Sequence, residues 1–276
     1  MEDVFMRWED LTVEGFKEAL TLTKGVAVIP IGCLEKHGYH IPLGTDMTIA
    51  RVICERATDK EDALLVPIAP YGIISEAQHK LGTLSISSKL QYELLEELCD
   101  ELARNGYYKI IIVNGHGGAT HFTRYFAQSR LEKRHPYIVY VINAHYRTVE
   151  QYQHFIKNIN KEPLRGSGHA DLMETSEMLY HQEDKCNMNH IVFEQTQDYE
   201  RGADAANLGL FSAIGWYADH PEHVAGDPTG ASKEKGEFLT NMYVENLSKA
   251  IKYVKDDDTL WKLTQEFYDK MENPEI

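Results

Sequence analysis

Short runs of wholly apolar residues, each ending in a polar, glycine-bearing cluster, constrain this chain more than any other feature. The sharpest is 109–113, KIIIV, which enters NGHGG at 114–118. A stretch apolar at almost every position has no face to offer to water, so it reads as a strand buried on both sides. Residues 25–31 (GVAVIPI), 64–68 (LLVPI) and 137–142 (YIVYVI) read the same way, and 82–87 (GTLSIS) is a weaker strand candidate. Helical patterns fill the intervals. They cover 45–58, with Thr45 as N-cap and Asp46 in the first turn, then 88–105, 120–133 and 171–181. In the second of these, Leu90, Leu94, Leu95, Leu98 and Leu102 recur at helical spacing, and Gly106 follows as a stop. Buried strands alternating with helices predict an α/β fold with a central, mainly parallel sheet flanked by helices. No linker or repeat interrupts residues 1–276, so one domain is expected. In such sheets, ligands sit beyond the carboxyl ends of the strands.

Charge narrows the partners. With 28 Lys+Arg against 43 Asp+Glu the formal charge is −15, which disfavours nucleic acid and anionic membrane surfaces as partners. No uncharged apolar run approaches the ~18 residues of a membrane span, and the first ten residues carry no signal-peptide pattern. Cys33, Cys54, Cys99 and Cys186 form no C-x-x-C pair, so reduced thiols and a cytoplasmic location are expected. A chain of this length builds a core without a structural metal. Any metal ligands therefore call for a functional explanation.

Three clusters carry possible chemistry. Glu35, His37 and His40 follow the first strand, with Asp46 nine residues past His37. Glu35 and His37 share a face if that segment is extended, and carboxylate beside imidazole suits Zn²⁺ or Mn²⁺. A solvated loop with scattered charges is the alternative. His116 lies between glycines in 114–118, where Gly117 and Gly118 free backbone N–H groups for an anionic ligand; a capped turn with a surface histidine competes. His169 precedes the helix at 171–181 and Glu174 lies in its first turns, where Ser167 or Asp171 capping and a dipole-favouring Glu174 explain the same residues. The stretches 71–83 and 226–236 read as ordered loops.

Together these pieces resemble the creatininase family of metal-dependent amidohydrolases. The matching segments are PIGCLEKHG at 30–38, Thr45-Asp46, Gly82-Thr83, VNGHGG at 113–118, His169-Ala170, Glu174-Thr175-Ser176, Gly226-Asp227-Pro228 and Glu234-Lys235-Gly236. The resemblance implies a hydrolase with two divalent ions (Zn²⁺ or Mn²⁺, with Fe²⁺ admissible) and commonly a homohexamer. It implies Glu35 and His116 on one metal, His37 on the other and Asp46 between them. In creatininase a glutamate two residues after the Gly-His histidine is a further ligand; here that position is Gly118, and Glu174 takes the ligand role. His169 matches the catalytic histidine. The implied substrate is a small molecule with a cyclic amide or formamide bond, or a cyclic diketone opened by C–C hydrolysis. Three departures mark the pocket. Tyr39 stands in the usual H-G-P-H, Asp171 in the usual H-A-G, and Arg165 where creatininase has a tryptophan four residues before the catalytic histidine. Arg165, Tyr39 and Tyr71 are thus candidate substrate contacts, and creatinine is not the expected substrate.

Overall fold

The computed structural model describes residues 6–69, 72–166 and 168–274. Among these, Val26–Ile31 (β1), Leu64–Leu65 (β2), Lys109–Asn114 (β3) and Ile138–Asn143 (β4) form one parallel sheet in the order β2-β1-β3-β4. The register sets Ile29 beside Ile112 and Ile112 beside Val141. Every residue of β1 and β3 is buried. Strand alternation therefore divides their side chains between two apolar layers, rather than between core and water. Val26, Val28, Ile111 and Val113 enter one layer, and Ala27, Ile29, Ile31, Ile110 and Ile112 the other.

Helices cover both faces. Among the described residues they are Val13–Thr23 (α1), Thr45–Lys60 (α2), Ser88–Arg104 (α3), Thr120–Ser129 (α4), Val149–His154 (α5), Leu172–Gln182 (α6), Ala203–Asn207 (α7), Gly215–Asp219 (α8), Lys233–Asp256 (α9) and Thr259–Glu272 (α10). The first layer meets α2 through Ile49 and Ile53, α6 through Met178, and α9 through Leu239 and Leu247. The second meets α1 through Phe16 and Leu20, α3 through Leu95 and Leu102, and α4 through Phe126. Local chemistry fixes the helix ends. The Ser87 side chain accepts the Leu90 N–H at the start of α3, and Gly106 follows its end at φ +96°. No helix among the described residues is long and apolar enough to cross a membrane.

Several local expectations are corrected. Residues 82–87 form no strand; Leu84 makes only an isolated bridge with Leu34. Gly82 stands at φ +90°, and no further ladder forms to hold the segment extended. Gly44, not Thr45, flanks α2; Thr45 is its first helical residue and donates its hydroxyl to the Pro42 carbonyl. The run at 64–68 pairs only over its first two residues, and Pro67 has no N–H to extend the ladder. Residues 233–236, read as loop, open α9.

The fold brings the loop after β3 against the first turn of α2. Gly115 donates its N–H to the Ile31 carbonyl at 2.8 Å. A Cβ on Gly115 would lie 2.8 Å from the Ala50 Cβ, so only glycine permits this approach. Asp46 and His116, 70 residues apart, meet as a result.

Candidate metal centre

Glu35 and His37 leave the end of β1, Asp46 enters α2, His116 follows β3, and His169 and Glu174 flank the start of α6. All are buried except Glu174, whose side chain is 12% exposed. The two oxygens of Asp46 face different partners. Oδ1 lies 3.2 Å from His37 Nε2, and Oδ2 lies 3.1 Å from His116 Nδ1. Glu35 Oε1 is 2.8 Å from His116 Nδ1, and Glu174 Oε2 is 3.7 Å from His37 Nε2. His169 stacks beside His37 with ring centroids 4.2 Å apart. Glu35, His37, Asp46, His169 and Glu174 thus converge with His116 on one site, whereas His40 of the first cluster turns away, its Nε2 2.9 Å from Thr175 Oγ1.

Three residues that sequence reasoning missed belong there. Cys33 donates its thiol to Asp46 Oδ2 at 3.0 Å; burial pushes that thiol's pKa up, so it remains a donor. His223 Nε2 contacts Glu35 Oε2, while its Nδ1 accepts the Trp216 indole N–H at 2.9 Å, which fixes its tautomer. Glu76 Oε1 lies 3.3 Å from His116 Nε2. The sequence offered little to find them: Cys33 read as one of four unpaired thiols, and His223 and Glu76 lie in segments without a recognisable ligand pattern.

The electrostatics describe a nest for cations. Burial lowers the His37 pKa, but Asp46 and Glu174 more than offset it and lift it to about 10. His116 is raised well above its usual range by Glu35 and Asp46 against the same burial. Glu174 moves the other way for a carboxyl, up to about 8, through burial and then the Asp46 and Asp171 charges, despite His37. His169 falls to about 3 through burial, with His37 and His223 adding to it against Glu35. Carboxylates that draw protons onto two buried imidazoles attract a metal ion by the same field. The donors group accordingly into Cys33, Glu35, Asp46 and His116; Glu35, His169 and His223; and His37, His169 and Glu174, with the donor atoms of each group within 4.8 Å of one another. With Cys33 kept as a thiol that donates to Asp46, the remaining oxygen and nitrogen donors fit borderline divalent ions such as Zn²⁺ or Mn²⁺.

The expected substrate contacts divide. Gly117 lines a cavity of about 470 Å³ that reaches His116 and is walled by Asn143, His145, Arg147 and Tyr152. Arg165 is exposed and is not among the residues lining that cavity; its carbonyl accepts the Asp227 N–H. Tyr39 is exposed beneath the Lys36 ammonium, 4.5 Å from its ring centre. Tyr71 and Ser167 lie outside the described residues. Asp171 caps α6, its side chain accepting the N–H groups of Met173 and Glu174.

The chain is similar to known proteins in sequence and in fold. The creatinine amidohydrolase (creatininase) family profile matches residues 9–251. A creatinine amidohydrolase of Pseudomonas putida is 28% identical over 39% of this chain and 43% of its own length. A mycofactocin precursor peptide peptidase of Mycobacterium tuberculosis is 35% identical over 36% of this chain and 43% of its own length. The chain thus matches less than half the length of these two relatives. A 3-dehydro-scyllo-inosose hydrolase of Thermotoga maritima is 23% identical over 89% of this chain and 82% of its own. Among solved structures, a creatininase covers 91% of this chain and 97% of its own at TM-score 0.71 and 21% identity. A Bacteroides fragilis structure covers 94% and 99% at TM-score 0.75 and 20% identity, which shows the shared fold. Since the family profile spans both the sheet and every element that carries the metal-facing residues, the chain belongs to the creatininase family of hydrolases.

Proposed function

We propose that this protein is a two-metal hydrolase that cleaves an amide bond, cyclic or formyl, in a small molecule other than creatinine. The observation that carries this reading is the single Asp46 carboxylate presenting one oxygen to His37 and the other to His116. Divalent ions bound there supply an acidified water and a polarised carbonyl. Glu35 and His116 hold one side, and His37 with Glu174 the other. His223 and Cys33 keep Glu35 and Asp46 aimed inward. His169 donates Nε2–H to the Lys36 carbonyl at 2.7 Å, which leaves Nδ1 unprotonated and able to accept the proton that the attacking water loses and then pass it to the leaving group. The cavity beside His116 receives the substrate, and Gly117 lets it approach the backbone.

A second reading is supported by the cavity wall and by the Thermotoga relative. Asn143, Arg147, Thr148 and Tyr152 line the cavity with polar groups of a kind that suits a polyhydroxylated ring, so hydrolytic C–C opening of a cyclic polyol diketone is the competing reaction. The reading also carries a homohexamer in the cytoplasm, supported by the family resemblance; all four cysteines are free thiols.

Metal analysis is the test. Protein reconstituted with Zn²⁺ or Mn²⁺ is expected to hold two equivalents, and Asp46→Asn to lower the occupancy of both. Full activity in metal-free protein would end the proposal. A panel of cyclic amides, formamides and cyclic polyol diketones separates the two reactions.

A further inference from the structure

We propose that Glu76 is the positioning residue of His116, holding its imidazole in the tautomer that leaves Nδ1 free for a metal ion. This inference rests on the two-metal reading above. Glu76 lies in the short turn Ser75–Ala77, remote from every segment that resembles a ligand motif. Its Oε1 is 3.3 Å from His116 Nε2, while Nδ1 of the same ring faces Glu35 Oε1 at 2.8 Å and Asp46 Oδ2 at 3.1 Å. The imidazole is thus placed between one carboxylate on its outer nitrogen and two on its inner one.

A neutral imidazole carries one proton. On Nδ1, that proton would bond to Glu35 or Asp46 and occupy the lone pair a metal needs. An acceptor at Nε2 draws the proton outward and makes Nδ1 a ligand. Gly118 is what admits that acceptor. A Cβ at 118 would overlap Glu76 Oε1 and come within 2.5 Å of His116 Nε2. The φ of Gly118 is not positive, so the backbone does not demand glycine here; the space does. The residue that departs from creatininase at 118 and the glutamate at 76 therefore form one device, with the carboxylate brought in from a different loop.

The test measures Zn²⁺ binding by competition with a chromophoric chelator, alongside ¹⁵N spectra of the histidine rings. Glu76→Ala is expected to weaken one of two Zn²⁺ equivalents by about 10–100-fold and leave the other unchanged. Glu76→Gln, which keeps an acceptor oxygen, is expected to lie much closer to wild type. In the Zn²⁺-loaded wild type the ¹⁵N spectra are expected to show the His116 proton on Nε2 and a metal-bound Nδ1, and Glu76→Ala to lose that metal-bound Nδ1 signal at a Zn²⁺ concentration that still saturates wild type. Wild-type affinity at both sites in Glu76→Ala would overturn the proposal. So would a Glu76→Gln defect as large as that of Glu76→Ala, which would make Glu76 a direct ligand. If wild type binds fewer than two ions, the two-metal reading fails separately, and the His116 ring spectra alone then decide the role of Glu76.

Discussion

Glu174 and Asp171 stand three residues apart and do different work. Asp171 accepts the backbone N–H groups of Met173 and Glu174 and so caps α6. The Glu174 carboxylate turns back toward His37 and accepts the Ala170 N–H at 2.6 Å. Asp171→Ala is therefore expected to cost about 1 kcal/mol of stability in denaturant titration. Glu174→Gln is expected to lower metal occupancy on the His37 side, which elemental analysis reads directly. His169→Ala should keep both ions and reduce turnover by roughly 10²–10⁴-fold. Unchanged turnover would remove His169 from the mechanism. Of the two arginines, Arg147 lines the cavity and Arg165 does not. Arg147→Ala is expected to raise KM, and Arg165→Ala to leave it near wild type. The reverse order would restore Arg165 as the substrate contact.

Between elements, the crossing of α6 and α9 turns on Gly236. A Cβ there would overlap the Ser176 carbonyl and lie 2.8 Å from the Tyr180 Cβ. Helix propensity alone makes Gly→Ala stabilising by up to about 1 kcal/mol. The crossing reverses that sign: Gly236→Ala is expected to lose on the order of 1–3 kcal/mol, read from the unfolding midpoint. Beyond β4, His145 Nε2 meets the fully buried Glu177 of α6 at 3.3 Å. Burial lowers the His145 pKa, but Glu177 raises it to about 9 from an ordinary 6.5. A raised imidazole contributes stability that is fully present below about pH 6.5 and is lost as pH rises through 9. Burial raises the Glu177 pKa too, and that contribution is likewise lost with rising pH, but starting from its ordinary 4.5 rather than in the His145 window. Stability is expected to fall over that window by about 1–3 kcal/mol, the upper end being discounted because the His145 side chain is 24% exposed. In His145→Gln the slope should flatten; an equal slope would place the effect elsewhere.

At the scale of the whole molecule, sedimentation at micromolar concentration is expected to show a closed hexamer, and a stable monomer would refute it. Creatinine turnover is expected to be negligible beside that of the true substrate. How far the sequence reached follows the same division of scale. The strands β1, β3 and β4, the helix α3 and its Gly106 stop were legible because their signals are local: continuous apolar runs, a leucine stripe and a glycine with positive φ. Glu35, His37, Asp46, His116, His169 and Glu174 were legible as candidates because each stands beside a recognisable motif. By itself, then, the sequence determined the α/β class and which strand ends carry ligating side chains, since periodicity and short motifs are properties of neighbouring residues. Only the tertiary structure decided that 82–87 makes no strand, that Asp46 faces His37 and His116 together, and that Glu76, His223 and Cys33 complete the site. Those outcomes depend on close approaches between distant segments, at Gly115 against α2 and at Gly118 beneath Glu76, and no spacing along the chain encodes which backbones will meet.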